Sequence, residues 1–219
     1  MGRGSSKAGG VGVTGGGGSR DGMPNDATEY YVSGEGMWIN QYLRGRGDFG
    51  ELSDSEKKYI EDLDTATNGK ITDETLYRSV DADAIFGNIS DTDYENLVQA
   101  LNYGADSFGK GSYADGIRSK VDSIISKTQG KTITEKGYMS TTTSQSVAED
   151  WGDYTGSTKP IIMEITPSKN TKGVNLSSYD KNVSAGEAQH ERLLKRNQSF
   201  DVEKIYSKNN SLYVKVKMR

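Results

Sequence analysis

Gln189-His190-Glu191-Arg192-Leu193-Leu194 sets a carboxamide and a carboxylate two residues apart and then runs into an apolar pair. Residues i and i+2 of an extended strand share a face. The stretch therefore predicts a strand with Gln189 and Glu191 on one cleft and Leu194 anchored in a core. A carboxamide beside a carboxylate can hold a sugar hydroxyl and a second polar group at once. Gln-x-Glu is equally what an ordinary edge strand carries on its solvated face, so its meaning depends on the surrounding elements.

Those surroundings are β-prone. Downstream, Phe200, Val202 and Ile205 mark a strand, and Leu212, Val214, Val216 and Met218 alternate cleanly, giving a hairpin across Lys208-Asn209-Asn210. Upstream, Pro160 to Ile165 reads as a strand, Pro167 to Gly173 as a turn, and Gly137 to Thr143 as a strand before a short helix around Val147 to Trp151. Before Gly130 the period changes to that of helices. Met37, Trp38, Tyr42 and Leu43 form a stripe in a helix starting near Glu29 and stopped by Gly45 and Gly47. Ser53 with Glu56 makes a capping box for a helix whose apolar face is Tyr59, Ile60 and Leu63. Ser90 caps a helix with Tyr94, Leu97, Val98 and Leu101 on one face, and Ile117, Val121, Ile124 and Ile125 line another. Thr75 to Val80 is a short strand among them. Helices first and strands later is the α+β pattern: a helical N-terminal part followed by a mainly antiparallel two-sheet β core.

The 219 residues suit one domain with a tail. Met1 to Met23 is mostly Gly, Ser and charge and cannot bury enough surface to offset its ordering entropy, so residues 1–28 are expected to be a flexible tail and 29–219 the domain. No cysteine is present, which excludes a disulfide framework, a thiolate metal site and a cysteine nucleophile. A single histidine, His190, leaves no basis for a histidine metal site or a Ser-His-Asp triad, and no metal is expected. No apolar run reaches the ~20 residues of a membrane span, and the N-terminus lacks a signal-peptide apolar region, so a monomer made in the cytoplasm is expected. The net charge of −4 is uneven: residues 159–219 hold 12 Lys/Arg against 6 Asp/Glu, the rest 15 against 25. The basic part contains Gln189 and Glu191; it is either a solvated face or the side that draws an anionic ligand.

Two further elements carry possible chemistry. Tyr77-Arg78 puts an arginine in a short strand between apolar neighbours, where its fork suits either a structural ion pair or a bidentate phosphate. Ser140-Thr141-Thr142 lines up three hydroxyls that either orient a ligand or reflect strand propensity. Arg, then Ser-Thr-Thr, then Gln-x-Glu in an α+β chain resembles the arginine-serine-glutamate branch of the mono-ADP-ribosyltransferases, that of the cholera-like, binary-toxin and clostridial Rho-modifying exoenzymes. Ile39-Asn40-Gln41-Tyr42-Leu43-Arg44 looks like the first helix of that family, Leu76-Tyr77-Arg78 like its arginine strand and Gly137 to Thr142 like its Ser-Thr-Ser strand. Gly186 to Leu194 looks like its catalytic loop and strand. Ser79 stands where glycine is common, Thr142 where a third Ser is usual, and the nearest aromatic before Gln189 is Tyr179.

The resemblance implies an ADP-ribosyltransferase-like fold over about residues 30–219 and NAD as a consumed substrate. It implies that Glu191 stabilises the sugar cation formed as the nicotinamide–ribose bond breaks, as in glycoside hydrolysis. By the same resemblance Ser140 positions Glu191, Arg78 grips the pyrophosphate and Thr142 shapes the nicotinamide pocket, with Tyr77 and Thr141 also counted among the NAD-binding residues. Trp151, Tyr154 and Lys159 lie in the segment that covers phosphates and nicotinamide in relatives, although Trp151 also suits a core. Gln189, where arginine-modifying relatives carry Glu, suits a neutral acceptor. A protein Asn or Gln ranks ahead of a guanine in DNA or RNA, ahead of water in NAD hydrolysis, and ahead of an inactive phage structural protein. His190 falls between the two and is expected to face away. Action inside a bacterial cell, as a phage or prophage effector, or after delivery into a host cell, fits the same reading.

Overall fold

The computed structural model describes residues 22, 25–46, 50–71, 73–154, 158–182, 188–209 and 211–219. Most of the expected tail, the helix stop at Gly47, Asn210 of the hairpin turn, and Gly186-Glu187 lie outside the described residues. The helical part comprises α1 (Asp26–Tyr30), α2 (Gly36–Leu43), α3 (Asp54–Ala66), α4 (Asp83–Phe86), α5 (Asp91–Tyr103) and α6 (Ser112–Thr128), with strand β1 (Leu76–Asp81) between α3 and α4. Then come β2 (Thr132–Glu135), β3 (Met139–Thr142), α7 (Gln145–Tyr154), β4 (Pro160–Thr166), β5 (Gly173–Asn175), β6 (Glu191–Leu194), β7 (Gln198–Lys208) and β8 (Ser211–Met218). This is the α+β order expected.

Helix α1 starts three residues ahead of Glu29 because Asn25 and Thr28 cap each other's backbone N–H, at 3.0 and 2.8 Å. A wide turn, Tyr31–Glu35, kinked at Gly34 (φ 111°), then separates α1 from α2. Of the stripe expected on Met37, Trp38, Tyr42 and Leu43, Trp38 and Leu43 pack against the core around Ile39, whereas Met37 and Tyr42 are exposed. Met37 is 69% exposed, whereas Ile39 is fully buried and Asn40 buried beside it. The Ser53 capping box forms as expected, and α3 buries Ile60 and Leu63.

The strands form one sheet in the order β2-β7-β8-β4-β1-β3-β6-β5, parallel only between β4 and β8. β1 shares six residue pairs with β4 but one, Tyr77↔Thr142, with β3. The two-sheet core thus takes the form of two wings of one sheet, joined at that pair. β2 and β5 were not foreseen, being four and three residues long with little apolar pattern. Leu97 of α5 and Val121 of α6 pack with Met163, Phe200 and Val214 on one side of the larger wing. Ala148 of α7 packs with Ile162 and Tyr213, the strand residues that alternate with that set. Ile39 and Leu63, from α2 and α3, meet Tyr138 and Leu193 of the smaller wing. Leu193 and Leu194 are both fully buried and belong to different cores, so β6 is pinned from both faces.

Candidate active site

Where the wings meet, a cavity of about 1010 Å³ opens between the α1–α2 segment, α7 and the strands. Arg78 from β1, Ser140 from β3, and Gln189 and Glu191 from the last loop and β6 all line it. Residues more than sixty positions apart in sequence thereby share one wall, and the volume accommodates a dinucleotide.

Arg78 Nη1 donates to the Ser140 carbonyl at 2.8 Å, while its Nε is buried with no partner. Arg78 makes no ion pair among the described residues. Burial disfavours its charge; Tyr31 and Glu135 nearby act the other way. A buried donor without an acceptor costs about 1–3 kcal/mol, and an anion delivered from the cavity removes that penalty. The residues present therefore fit a pyrophosphate-bearing substrate.

The strand begins at Glu191, not Gln189, because His190 adopts a left-handed backbone (φ 48°). The i, i+2 argument for a shared face does not apply, yet both residues reach the cavity. A different device holds them. Thr142 Oγ1 donates to the Gln189 carbonyl and Thr141 Oγ1 to that of Arg192, each at 2.7 Å. Thr141 and Thr142 are fully buried, neither lines the cavity, and their hydroxyls fix the Gln189–Arg192 segment. Tyr77 also lies off the cavity, packed with Ala148, Ile162, Tyr206 and Tyr213 under α7. The described side-chain partner of the Ser140 hydroxyl is Tyr31, at 3.5 Å, where Glu191 was expected. His190 is exposed. Lys159 binds Asp83 at 3.0 Å and the Ile89 carbonyl at 2.7 Å, away from the cavity. Trp151 lines the cavity, as does Tyr179, whose hydroxyl lies 3.0 Å from Thr28 Oγ1. The side chain of Tyr154 lies outside the described residues.

Sequence reading missed Tyr31 and Arg46, and quoted Asn40 and Arg44 only as part of the first-helix resemblance, without a site role; all four line the cavity. Asn40 carried a signal, being a carboxamide next to Ile39 on a helix; Tyr31 carried none. Arg44 is held by a two-point pair to Glu135, at 2.8 and 2.9 Å, and Glu135 also accepts the Gly137 N–H at 2.7 Å. Burial pushes the Glu135 carboxyl up, but Arg44 and Gly137 outweigh it and hold it below its ordinary value.

A family model described as ADP-ribosyltransferase exoenzyme matches residues 24–219. The chain belongs to the ADP-ribosyltransferase exoenzyme family. Among solved structures, this ADP-ribosyltransferase is similar to C3stau2 from S. aureus with NAD (22% identity, TM-score 0.60), over 88% of this chain and 84% of that one. It is also similar to C3larvin toxin from Paenibacillus larvae (21% identity, TM-score 0.54), over 89% and 86% of the two chains. The Clostridium limosum C3 exoenzyme aligns over 89% of this chain and 83% of its own, at 20% identity and a TM-score of 0.57. At these identities the likeness is one of fold. No curated protein sequence matches the chain. Membership of the family makes NAD the substrate.

Proposed function

We propose that this ADP-ribosyltransferase cleaves NAD in the cavity and passes single ADP-ribose units to a neutral acceptor, the side chain of an Asn or Gln in a protein. The observation that carries the reading is the partnerless, buried Arg78 Nε in the same cavity as Glu191. A cation seeking an anion and a carboxylate for a developing sugar cation are the two charges that cleavage at nicotinamide requires. Arg78 binds the pyrophosphate. Glu191 accepts the ribose 2′-hydroxyl proton in a hydrogen bond that strengthens as the nicotinamide–ribose bond breaks. Gln189 presents a carboxamide to the incoming nucleophile. It has no charge with which to engage a guanidinium, and it matches the hydrogen-bonding pattern of another carboxamide. The enzyme acts as a monomer, inside a bacterial cell or after delivery into a host cell.

The test is incubation with NAD labelled in the adenylate half, with protein, DNA and RNA fractions of a lysate offered separately. Label is expected on protein, in a linkage characteristic of a carboxamide, and Glu191→Gln is expected to lower both transfer and nicotinamide release about a hundredfold or more. Undiminished release by Glu191→Gln would remove the assignment of Glu191. Label confined to nucleic acid would replace the acceptor with guanine, and nicotinamide release without any label transfer would make water the acceptor.

A further inference from the structure

Tyr31 and Asn40 stand behind Ser140 in a hydrogen-bond chain whose direction is set at its Asn40 end. The Tyr138 backbone N–H is a donor and nothing else, and it lies 2.8 Å from Asn40 Oδ1, so that atom has to be the amide oxygen. Asn40 Nδ2 is then the donor to the Tyr31 oxygen, 2.8 Å away. Having accepted there, the phenol must give its own proton elsewhere. Tyr31 is 7% exposed, and a buried hydroxyl needs an acceptor. Among the described residues the remaining partner is Ser140 Oγ, at 3.5 Å. Burial holds the Tyr31 phenol above its ordinary pKa, so its proton is present at neutral pH.

The packing around the chain leaves no slack. A Cβ on Gly36 would fall 2.7 Å from the Tyr31 ring, and one on Gly137 would fall 2.5 Å from Asn40 Oδ1. Each glycine is therefore the space into which one member of the chain fits.

We infer that Asn40 and Tyr31 are positioning residues that make Ser140 a one-way proton donor, turning its hydroxyl hydrogen into the cavity toward the Glu191 carboxylate. Ser140, having accepted from Tyr31, cannot aim its own proton back at the phenol. The 3.5 Å contact is long for O–H···O, and hydrogen bonds of this kind commonly tighten once substrate is bound. The inference rests on the assignment of Glu191 above.

The experiment is a double-mutant cycle on nicotinamide release, over a range of NAD concentrations, with thermal unfolding recorded for every variant. Wild type, Tyr31→Phe, Ser140→Ala and the double variant form the cycle, and Glu191→Gln runs beside it. Tyr31→Phe keeps the ring and is expected to lower kcat about tenfold with KM for NAD within about twofold. In the Ser140→Ala background the same change is expected to alter kcat by less than about twofold, because the residue acts through the serine. Losses that multiply in full, or a rise in KM at unchanged kcat, would overturn the inference. Asn40→Asp supplies a second variant: an acceptor-only carboxylate draws the Tyr31 proton back to position 40. It is expected to match Tyr31→Phe, and a folded Asn40→Asp with wild-type kcat would overturn the direction of the chain. If Glu191→Gln releases nicotinamide normally, the Glu191 reading fails and takes this one with it. If Glu191→Gln is inactive and Tyr31→Phe is unchanged, this inference fails alone.

Discussion

In the proposed reading, Gln189 and Glu191 divide the chemistry of the cleft between them: Glu191 serves bond cleavage whatever the acceptor is, and Gln189 meets the acceptor. Gln189→Ala is expected to keep most of the NAD hydrolysis measured by nicotinamide release while losing transfer to protein at least tenfold. Equal loss of both activities would show that Gln189 has no dedicated acceptor role. In the same proposed reading, Arg78 holds the pyrophosphate through the geometry of its fork. Arg78→Lys retains the charge and loses the planar donor pair, so KM for NAD is expected to rise about tenfold or more while the folded state is retained. An unchanged KM would place the pyrophosphate elsewhere. Arg78, Ser140, Gln189 and Glu191 were legible in the sequence because their order resembles that of a known family; taken singly, each also suited an ordinary strand residue. Tyr31 was not legible. A tyrosine just past a short helix, beside Tyr30, has nothing local to separate it from a core aromatic, and its hydrogen-bond partners are Asn40 and Ser140, nine and 109 residues away.

Among the elements, the edges of strands and the phases of helices are where sequence reading and structure part. The alternation in Leu212, Val214, Val216 and Met218 identified β8 because all four are buried on one face, while the other carries the partly or fully exposed Ser211, Lys215 and Lys217 beside the buried Tyr213. The start of β6 was misplaced by two residues because His190 turns left-handed, a choice stabilised by threonine hydroxyls from a neighbouring strand. The Arg44–Glu135 pair links the end of α2 to β2, with Gly137 of the following turn as a third member. Glu135 has its folded pKa depressed, so its contribution to stability is present above the ordinary carboxylate range and lost as pH falls through the folded value. Glu135→Gln is expected to destabilise the protein by about 2 kcal/mol at neutral pH. The gap to wild type should close as the pH is lowered toward about 3, below the ordinary range. Denaturant titrations at both pH values check this, and a gap that stays constant would exclude the charged pair as its source.

At the scale of the whole molecule, the cavity exists because two wings of a sheet meet at a single residue pair and β6 is fixed by two cores at once. Leu97→Ala, in the core under α5, and Leu193→Ala, in the core under α2 and α3, should each cost about 2–5 kcal/mol. Only Leu193→Ala should also raise KM for NAD, since Leu193 sits two residues from Glu191 on the strand that carries it. Matching kinetic effects from the two variants, measured well below both unfolding transitions, would mean that the cavity is coupled evenly to the entire fold.

Periodicity and caps were enough to read the α+β class and the positions of most helices and strands, and three short motifs, through their resemblance to a known family, pointed to Arg78 and Glu191. These are local properties, in which a side chain and its near neighbours already specify which face is buried and which chemistry is available. Folding in three dimensions decided the rest: that Thr141 and Thr142 hold the Gln189–Arg192 segment, that Tyr77 lies off the cavity, that Arg44 is locked to Glu135, and that Asn40 bonds Tyr31, whose hydroxyl lies beside Ser140. Each of those outcomes depends on hydrogen bonds or packing between segments distant in sequence, and a buried polar group takes whatever partner the assembled structure brings within reach.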